Sequence, residues 1–368
     1  MKWGNQQNSA LSQVDRWLKD PHGAQIFRLF GYAGTGKTTL AKHIAEGITG
    51  TVLYAAYTGK ASLVLRKKGC LGASTIHSLI YTPKQNKDTG EYIFELNSNS
   101  AAAYAALIIV DEVSMVGEEL AMDLLSYGTR LLVLGDPHQL PPVQSEGFFI
   151  NATPDVMLTE VHRQAQENPI IRMSMDVREG RGLKHGQYGT SLVIPQRQLS
   201  DDRLHDLLMK SDQLLIGTNK SRQLFNTYIR DAIGLNPDRP DVADRLVCLR
   251  NNRDKNLLNG ELWEVKTVKT SRHTYDMEAQ SVDTPTMSTL KIRVPPAFFM
   301  GTEKDIDWRE RKKYDEFTYG WALTVHKAQG SEWNRVLLMD ESRYFRDDAS
   351  KHLYTGITRA SDSITVVV

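Results

Sequence analysis

The residue types with the clearest chemical meaning lie at positions 31–38, where the chain reads GYAGTGKT. This segment matches the pattern G-x-x-x-x-G-K-[ST], in which backbone N–H groups wrap around phosphate oxygens. Lys37 would reach the β- and γ-phosphates, and the hydroxyl of Thr38 would bind Mg²⁺. An apolar strand precedes the segment and a helical pattern follows it, which is the context that a phosphate-binding loop requires.

Two neighbouring carboxylates, Asp111 and Glu112, follow a second apolar strand, Leu107–Val110. The first carboxylate would lie beside the metal ion, and the second could polarise a water molecule for attack on the γ-phosphate. An acidic pair after a strand is usually only a solvated strand end. Because this pair follows Lys37 at a distance of 74 residues, it predicts the hydrolytic half of a nucleotide site.

Three further residues are candidates for contacts with the transferred phosphate. Gln139 follows a third strand, LLVLG, and could contact the γ-phosphate or the attacking water, although a proline-rich turn explains the same letters. Arg163 and Arg359 lie in turn-like segments away from the phosphate loop, where an arginine could stabilise the charge of phosphoryl transfer. A lone arginine is more often part of a surface ion pair, so the residues alone do not select them.

The elements that must position these residues are short strands alternating with helices. Apolar runs bounded by turn or polar residues predict strands buried on both faces of a parallel sheet. They are Ile26–Phe30, Thr51–Tyr57, Leu107–Val110, Leu131–Leu134, Leu214–Gly217, Val336–Met339 and Ile364–Val368. Helical patterns lie between them, at Thr38–Gly47, Glu118–Ser126 and Asn168–Arg178. The fold class is therefore α/β, and glycines clustered near residues 180–200 separate a first block with four strands from a second block.

Two segments interrupt this alternation. Residues 81–100 are polar with a Thr-Gly turn and predict a small hairpin. Residues 244–317 are richer in β-branched residues and contain Asn259-Gly260, a strong hairpin signal. The second segment is therefore predicted to be a small β insertion.

Composition sets limits on the class of protein. The 368 residues carry 45 Lys and Arg against 44 Asp and Glu, a net charge of +1, which argues against a wholly basic binder. Two cysteines, Cys70 and Cys248, are too few for a disulfide framework. The longest apolar run, at 101–110, is too short to span a membrane, and there is no N-terminal targeting pattern. These features predict a cytoplasmic protein.

Charge is distributed unevenly along the chain. Residues 58–88 contain six basic residues and one acid, a sum of +5, whereas residues 101–160 contain nine acids and one base, a sum of −8. The basic segment also holds Thr58, His77 and Tyr81, types that contact phosphates or stack on bases.

In combination, these motifs resemble superfamily 1 helicases of the 1B branch, typified by RecD and the compact phage helicase Dda, over nearly the whole chain. The resemblance implies two RecA-like P-loop NTPase domains with parallel sheets, at residues 1–180 and 181–368, with ATP in the cleft and a single strand crossing both. It also implies that residues 81–100 form the strand-splitting pin and that residues 244–317 form an SH3-like insertion.

The same resemblance assigns roles to individual residues. For the nucleotide it implies Gln7 on the adenine, together with Glu332 and the loop residues Gly34, Thr35, Gly36, Lys37, Thr38 and Thr39. Thr38 and Asp111 would hold the metal ion, and Glu112 and Gln139 would act on the attacking water and the γ-phosphate. Arg163 and Arg359 would be arginine fingers. For the DNA strand it implies Thr58, Lys60, His77, Asn219, Thr324 and His326. Phe94 and Tyr92 would be aromatic wedges of the pin, although packing within the hairpin explains either one equally well.

The function implied by the resemblance is an ATP-dependent DNA helicase that uses Mg²⁺ and moves 5′→3′. Its partners would be single-stranded and forked DNA, with single-strand-binding or replication proteins, and it would act as a monomer in a bacterial or phage-infected cell. One alternative is a DNA-stimulated ATPase that translocates and displaces or loads proteins with little unwinding. A GTPase is another: Thr218-Asn219-Lys220 approaches its base motif, but Arg222 stands where that motif needs a carboxylate. A small-molecule kinase would not need the motifs around Gln139, His326 and Arg359. A pure interaction protein is the remaining alternative, and absence of all NTPase activity would favour it.

Overall fold

The computed structural model describes residues 3–85, 92–142, 147–161, 167–252, 254–285 and 288–368. The chain divides into two compact units, Met1–Arg181 and Gly182–Val368. Across the described ranges, no helix is long and apolar enough to cross a membrane.

The first unit is built on parallel strands covered by helices. Its strands are β1 (Ile26–Gly31), β2 (Val52–Ala56), β3 (Ser74–Thr75), β4 (Tyr81–Gln85), β5 (Tyr92–Leu96), β6 (Leu107–Asp111), β7 (Leu131–Gly135) and β8 (Val156–Leu158). Its helices are α1 (Asn5–Lys19), α2 (Lys37–Glu46), α3 (Gly59–Lys67), α4 (Ile76–Ile80), α5 (Glu118–Leu125) and α6 (Pro169–Arg178). Six strands form one parallel sheet in the order β3-β2-β6-β7-β1-β8.

The prediction of four strands in this unit was wrong, because the sheet also contains β3 and β8. These strands have two and three residues, which is too short for any periodicity to be read from the sequence. The four predicted strands are present in the sheet, and they are apolar because both faces are covered. Ile108 and Val110 pack into one core cluster, while Leu107 and Ile109 pack into the other.

Local sequence explains where α6 begins. The side chain of Asn168 accepts hydrogen bonds from the backbone N–H groups of Ile170 at 2.8 Å and Ile171 at 3.4 Å. Pro169 occupies the first helical position, where its missing N–H costs nothing. The helix predicted from Asn168 to Arg178 therefore forms with Asn168 as its cap.

The hairpin predicted within residues 81–100 is present as the antiparallel pair β4–β5, in which Pro83 lies opposite Phe94. Residues 86–91 lie outside the described part of the chain. The hairpin joins the unit through Tyr81, which donates a short hydrogen bond to Asp123 in α5. Since Phe94 is 63% exposed, its ring does not form the core of this hairpin.

The second unit contains a second sheet and the insertion. Its strands are β9 (Gly186–Tyr188), β10 (Ser191–Ile194), β11 (Gln213–Ile216), β12 (Arg245–Cys248), β13 (Leu262–Thr270), β14 (Tyr275–Ser281), β15 (Leu290–Val294), β16 (Phe317–Tyr319), β17 (Ala322–Thr324), β18 (Trp333–Met339) and β19 (Ala360–Val367). Its helices are α7 (Asp201–Lys210), α8 (Asn219–Ala232), α9 (Ala297–Met300), α10 (Trp308–Arg311) and α11 (Ala349–Ile357). The main sheet has the order β17-β11-β18-β19-β10-β9 and is parallel except at β9–β10.

The insertion is an antiparallel sheet in the order β15-β14-β13-β12-β16, so its last strand returns beside its first. The hairpin signal at Asn259-Gly260 lies in the connection between β12 and β13, which pair antiparallel. β12 ends at Cys248 and β13 begins at Leu262, so the two residues lie near the end of a longer connection. Gly260 is nevertheless needed there, because its φ of 89° is a left-handed conformation that favours glycine.

A buried ion pair attaches the insertion to α8. The guanidinium of Arg230 donates to both carboxylate oxygens of Asp244 at 2.9 to 3.2 Å, and the two side chains are 2% and 0% exposed. Asp244 also accepts a hydrogen bond from the indole of Trp321 at 3.1 Å. Since Arg230 lies on α8 and Asp244 immediately precedes β12, this pair fixes the start of the insertion.

Candidate functional site

The sheet of the first unit brings the predicted phosphate-contacting loops to one edge. β6, β7 and β1 are adjacent and parallel, so their carboxyl ends lie side by side. The phosphate loop follows β1, the acidic pair ends β6, and Gln139 follows β7. The carboxyl edge of a parallel sheet is where ligands bind in open α/β folds.

The phosphate loop has the backbone conformation that its glycines allow. Gly34 and Gly36 have φ values of 77° and 80°, in the left-handed region. The hydroxyl of Thr35 donates to the carbonyl of Tyr32 at 2.8 Å. The ammonium of Lys37 donates to the carbonyls of Gly31 at 2.6 Å and Tyr32 at 3.1 Å, which folds its side chain over the loop.

Thr38 and Asp111, predicted to hold the metal ion, are in direct contact. The Thr38 hydroxyl donates to Asp111 Oδ2 at 2.9 Å. The other carboxylate oxygen accepts from the backbone N–H of Glu112 at 2.8 Å. Glu112 itself has φ 55° and ψ 45°, an uncommon conformation for a non-glycine residue that is often found at functional sites.

The donor set fits Mg²⁺ bound together with a nucleotide. Mg²⁺ prefers oxygen ligands, keeps several waters, and is usually held by one or two protein oxygens plus substrate phosphates. Thr38 and Asp111 supply one hydroxyl and one carboxylate at hydrogen-bonding distance. No cluster of three or more His, Cys, Asp or Glu side chains suited to a metal occurs in the described part of the chain.

Gln139 is positioned as an acceptor with an unused oxygen. Its side chain is 9% exposed, and its Oε1 atom has no hydrogen-bond partner among the described residues. The turn that carries it is fixed by Asp136, whose carboxylate accepts from the N–H of His138 at 3.0 Å and whose carbonyl accepts from the N–H of Gln139 at 3.1 Å. A buried carbonyl oxygen without a partner is suited to accept a hydrogen bond from a water molecule.

Gln7, predicted to contact adenine, is buried against the phosphate loop. Its amide donates to the carbonyl of Thr35 at 3.0 Å and accepts from the N–H of Gly4 at 3.1 Å. The neighbouring Gln6 accepts from the N–H groups of Thr159 and Glu160 at 2.7 and 2.9 Å. Both glutamines therefore tie α1 to the nucleotide edge, a positioning role that the sequence did not indicate; the adenine contact stays a prediction.

The predicted strand-contacting residues of the first unit differ in accessibility. Thr58 caps α3 by accepting from the N–H of Ala61 at 3.1 Å. His77 is exposed and lies between the rings of Tyr57 and Tyr81, with centroid distances of 6.4 and 5.5 Å. Lys60 is only 4% exposed, and its contact with the strand stays a prediction.

The predicted residues of the second unit lie at opposite edges of its sheet. Asn219 follows β11 and Thr324 ends β17, so both lie at the carboxyl edge, with His326 in the turn beyond. Glu332 precedes β18 and Arg359 precedes β19, which places both at the amino edge. The N–H of Trp333 donates to the carbonyl of Arg359 at 2.9 Å, so these two segments are adjacent.

The two edges of the second unit are rigidly built. The carboxylate of Glu341 accepts from the N–H groups of Gly217 and Thr218 at 2.9 and 2.8 Å, which fixes the turn before Asn219. At the other edge the guanidinium of Arg359 is 5% exposed and donates to the carbonyls of Thr355 and Ser331 at 3.1 and 3.3 Å. The sequence did not indicate this role of Glu341, because no residue pattern near it predicts hydrogen bonds to the distant N–H groups of Gly217 and Thr218.

His326 belongs to an aromatic cluster. Its ring lies 5.4 Å from Phe345 and 6.1 Å from His352, and Phe345 stacks on His352 at 4.0 Å. His352 is 0% exposed, with neither ring nitrogen hydrogen-bonded to a described residue. Burial and the neighbouring His326 lower the pKa of His352 to about 3, and burial also lowers the pKa of His326. Both rings are therefore neutral at pH 7.

One predicted residue cannot be described, and another can be described only in part. Arg163 lies outside the described residues, and only the backbone of Tyr92 is described.

One contact that the sequence did not indicate lies beside the phosphate loop, where the guanidinium of Arg178 in α6 stacks 3.7 Å from the ring centre of Tyr32. It joins the end of α6 to the loop, a cation–π arrangement that only the tertiary structure reveals.

Comparison with known proteins agrees with this geometry. A family model described as an AAA domain matches residues 5–191, and one described as a UvrD-like helicase C-terminal domain matches residues 319–367. The ATP-dependent RecD2 DNA helicase of Deinococcus radiodurans is 30% identical over 369 residues, covering 92% of this chain and 46% of that protein. The ATP-dependent DNA helicase dda of Enterobacteria phage T4 is 36% identical over 249 residues, covering 60% and 55%. The chain thus spans about half the length of these relatives.

The fold is also found among solved structures. Bacteroides Pif1 bound to single-stranded DNA matches with a TM-score of 0.59 and 16% identity, covering 100% of this chain and 92% of that one. The two mainly parallel sheets, each with a β insertion, define a P-loop NTPase with two RecA-like domains. The chain belongs to the AAA domain family, whose model covers half of it. Its predicted membership of superfamily 1B, in the branch of RecD and Dda, is confirmed.

Proposed function

We propose that the protein is an ATP-dependent DNA helicase that moves 5′→3′ along a single strand and separates duplex DNA ahead of it. The observation that carries the proposal is the contact between Thr38 and Asp111, at 2.9 Å, beside the phosphate loop and the strained Glu112. This arrangement supplies each protein group that hydrolysis of a nucleoside triphosphate needs in the first unit.

Each residue has a separate part in the proposed hydrolysis. Lys37 releases its carbonyl partners to bind the β- and γ-phosphates, and Glu112 takes a proton from the attacking water, which Gln139 orients. Arg359, with Arg163, stabilises the charge of the transferred phosphoryl group. A Mg²⁺ ion bound by Thr38 and Asp111 would neutralise phosphate charge.

The β4–β5 hairpin favours unwinding over translocation alone. Phe94 is 63% exposed on a two-stranded sheet whose first strand, β4, lies within the basic segment at residues 58–88. An exposed aromatic ring can stack on a base at the point where the strands separate. We propose that this hairpin is the pin, and that the β12–β16 sheet is the SH3-like insertion.

The relatives' names support DNA as the substrate, because both RecD2 and dda are described as ATP-dependent DNA helicases. We therefore propose single-stranded and forked DNA as the binding partners, with single-strand-binding or replication proteins acting alongside. We propose that the protein works as a monomer in the cytoplasm of a bacterial or phage-infected cell.

The decisive experiment measures ATP hydrolysis and strand separation on duplexes with either a 5′ or a 3′ single-stranded tail, made of DNA or RNA. We expect hydrolysis stimulated by single-stranded DNA and opening of the 5′-tailed DNA duplex. Opening of only the 3′-tailed duplex would show that the polarity is wrong, and stimulation without opening would favour the translocase. A Lys37→Ala variant is the control, because hydrolysis that survives it comes from another site.

A further inference from the structure

The base of the β4–β5 hairpin, where Ile80 enters β4 and Asn97 leaves β5, is held by contacts that the proposed function does not yet use. Beyond this base the hairpin stands free of the unit, since the side chains of residues 82–84 and 94–96 are all exposed. An isolated two-stranded hairpin is at best marginally stable in water. Its position therefore depends on how its base is fixed to the first unit.

The hydroxyl of Tyr127 lies between the two ends of the hairpin. It is 2.7 Å from the carbonyl oxygen of Asn97 and 3.0 Å from that of Ile80. The N–H of Asn97 also donates to the carbonyl of Ile80 at 2.8 Å. One phenol proton is therefore shared between carbonyls from both ends, so Tyr127 ties the hairpin together at its base.

A second contact fixes the start of β4. The hydroxyl of Tyr81 donates a short hydrogen bond to the carboxylate of Asp123. Hydrogen bonds to an ionised acceptor are roughly twice as strong as those between neutral groups. Asp123 lies in the last turn of α5, and Tyr127 lies just beyond the end of that helix. Both contacts therefore attach the hairpin to the same element.

α5 also leads back to the proposed hydrolytic carboxylates. A short helical turn that begins at Val113 follows Glu112 and precedes this helix. Val113 and Val116 pack in one buried cluster with Leu120 of α5. Ile80, at the base of the hairpin, belongs to the same cluster. Because close-packed interiors transmit displacements rather than absorb them, the segment after Glu112 and the base of the hairpin are mechanically connected.

We propose that Asp123 and Tyr127 are positioning residues that fix the hairpin to the hydrolytic segment, so that movement driven by hydrolysis reaches the separating strands. The inference rests on the proposed function. The two residues act on strand separation through the hairpin and leave the groups proposed for hydrolysis unchanged. A hairpin with a loose base yields when the duplex resists, so ATP is consumed without a base pair being opened. The need for the two contacts therefore increases with the stability of the base pairs.

The contacts can be tested with a doubly substituted protein, Asp123→Ala with Tyr127→Phe, in which the hairpin itself is unchanged. We expect strand separation on a 5′-tailed duplex to be roughly tenfold slower, the rate equivalent of one or two lost hydrogen bonds. ATP hydrolysis stimulated by single-stranded DNA should stay at the wild-type rate. Glu118→Ala with Tyr104→Phe is the matched control, because it removes a carboxylate from α5 and a hydroxyl from an exposed ring of the same unit.

Two further measurements distinguish a positioning role from a general defect. The deficit of the double variant should be larger on a G·C-rich duplex than on an A·T-rich one, because more stable base-pair steps resist the hairpin more strongly. Asp123→Asn keeps an oxygen that accepts the Tyr81 proton, so it should separate strands faster than Asp123→Ala. Thermal melting should show that every variant is folded.

Each contrary result has a defined meaning. Normal strand separation by the double variant would overturn the positioning role while leaving the helicase proposal intact. Equal losses of hydrolysis and strand separation, or a deficit that does not depend on base composition, would show a general defect and would also overturn it. Equal losses in Asp123→Asn and Asp123→Ala would overturn the part assigned to Asp123. A wild-type protein that opens no duplex with either tail would overturn both proposals.

Discussion

At the scale of single residues, Glu112 combines an unusual conformation with a proposed chemical role. Its left-handed backbone costs a non-glycine residue about 1–2 kcal/mol, so the fold must maintain it against that cost. The backbone N–H of Glu112 donates a hydrogen bond to the side-chain carboxylate of Asp111, so the two carboxylates point in different directions. The strain therefore separates the proposed base from the proposed metal ligand, although the two are adjacent in sequence.

We expect Glu112→Gln to bind ATP normally and to lose hydrolysis by about 100-fold or more, because the proton acceptor is gone while Thr38 and Asp111 remain. Titration with a fluorescent ATP analogue and a phosphate-release assay measure the two quantities. Glu118→Gln, an equal charge change at an exposed site in α5, should alter neither. A loss of nucleotide binding in Glu112→Gln would count against its role as the base.

His352 gives the second unit a predictable dependence on pH. Its pKa is about 3 in the folded protein and near 6.5 when unfolded, so between these values the unfolded chain binds more protons. The free energy of unfolding should therefore fall as pH is lowered from about 6.5 towards 3, by up to about 1.4 kcal/mol per pH unit. Urea unfolding at a series of pH values should show a shallower slope for His352→Phe, which keeps the ring stacked on Phe345. An unchanged slope would show that other groups control acid stability.

At the scale of elements, the β4–β5 hairpin can be altered with little effect on folding. Because Phe94 is exposed, Phe94→Ala should leave stability nearly unchanged. We expect it to lose most strand separation on a forked duplex while keeping ATP hydrolysis stimulated by single-stranded DNA. Leu96→Ala, at a 42% exposed position on the same strand, is the control. If both variants unwind normally, the hairpin is not the pin.

The attachment of the insertion depends on the Arg230–Asp244 pair. Removing one partner should cost about 3 kcal/mol or more, because the other charge is left buried without compensation. Arg230→Met together with Asp244→Leu should cost less than the sum of the two single changes. Urea unfolding of all four proteins gives the coupling energy. Additive costs would mean that the two side chains act independently in spite of their 2.9 Å contact.

The elements that the sequence could predict are those whose signal is local. The phosphate loop, the strand before Asp111 and the cap at Asn168 follow from spacing and residue type within about ten positions. β3 and β8 could not be predicted, because their two or three residues become strands only by lying against β2 and β1. The burial of Lys60 and the contact between Gln7 and Thr35 were likewise inaccessible, because they depend on how distant segments pack.

At the scale of the whole molecule, the net charge of +1 is the sum of oppositely charged segments that have different proposed roles. The acidic segment at residues 101–160 includes the proposed hydrolytic carboxylates, and the basic segment at 58–88 leads into the proposed pin. In the second unit the predicted nucleotide residues and the predicted strand residues occupy opposite edges of one sheet.

The proposed roles of Lys37 and Arg359 require both units in every cycle of hydrolysis, since Lys37 belongs to the first unit and Arg359 to the second. We expect Lys37→Ala and Arg359→Lys each to lower DNA-stimulated hydrolysis by about a thousandfold or more, and the double variant to be no worse, because both residues act on the same phosphates. Mixing the two single variants tests whether they act within one chain. A monomer should stay inactive in the mixture, because each molecule lacks one of the two groups. Recovery of activity on mixing, measured by phosphate release over a range of protein concentrations, would show that Arg359 acts on ATP bound to another copy and that the monomer prediction is wrong.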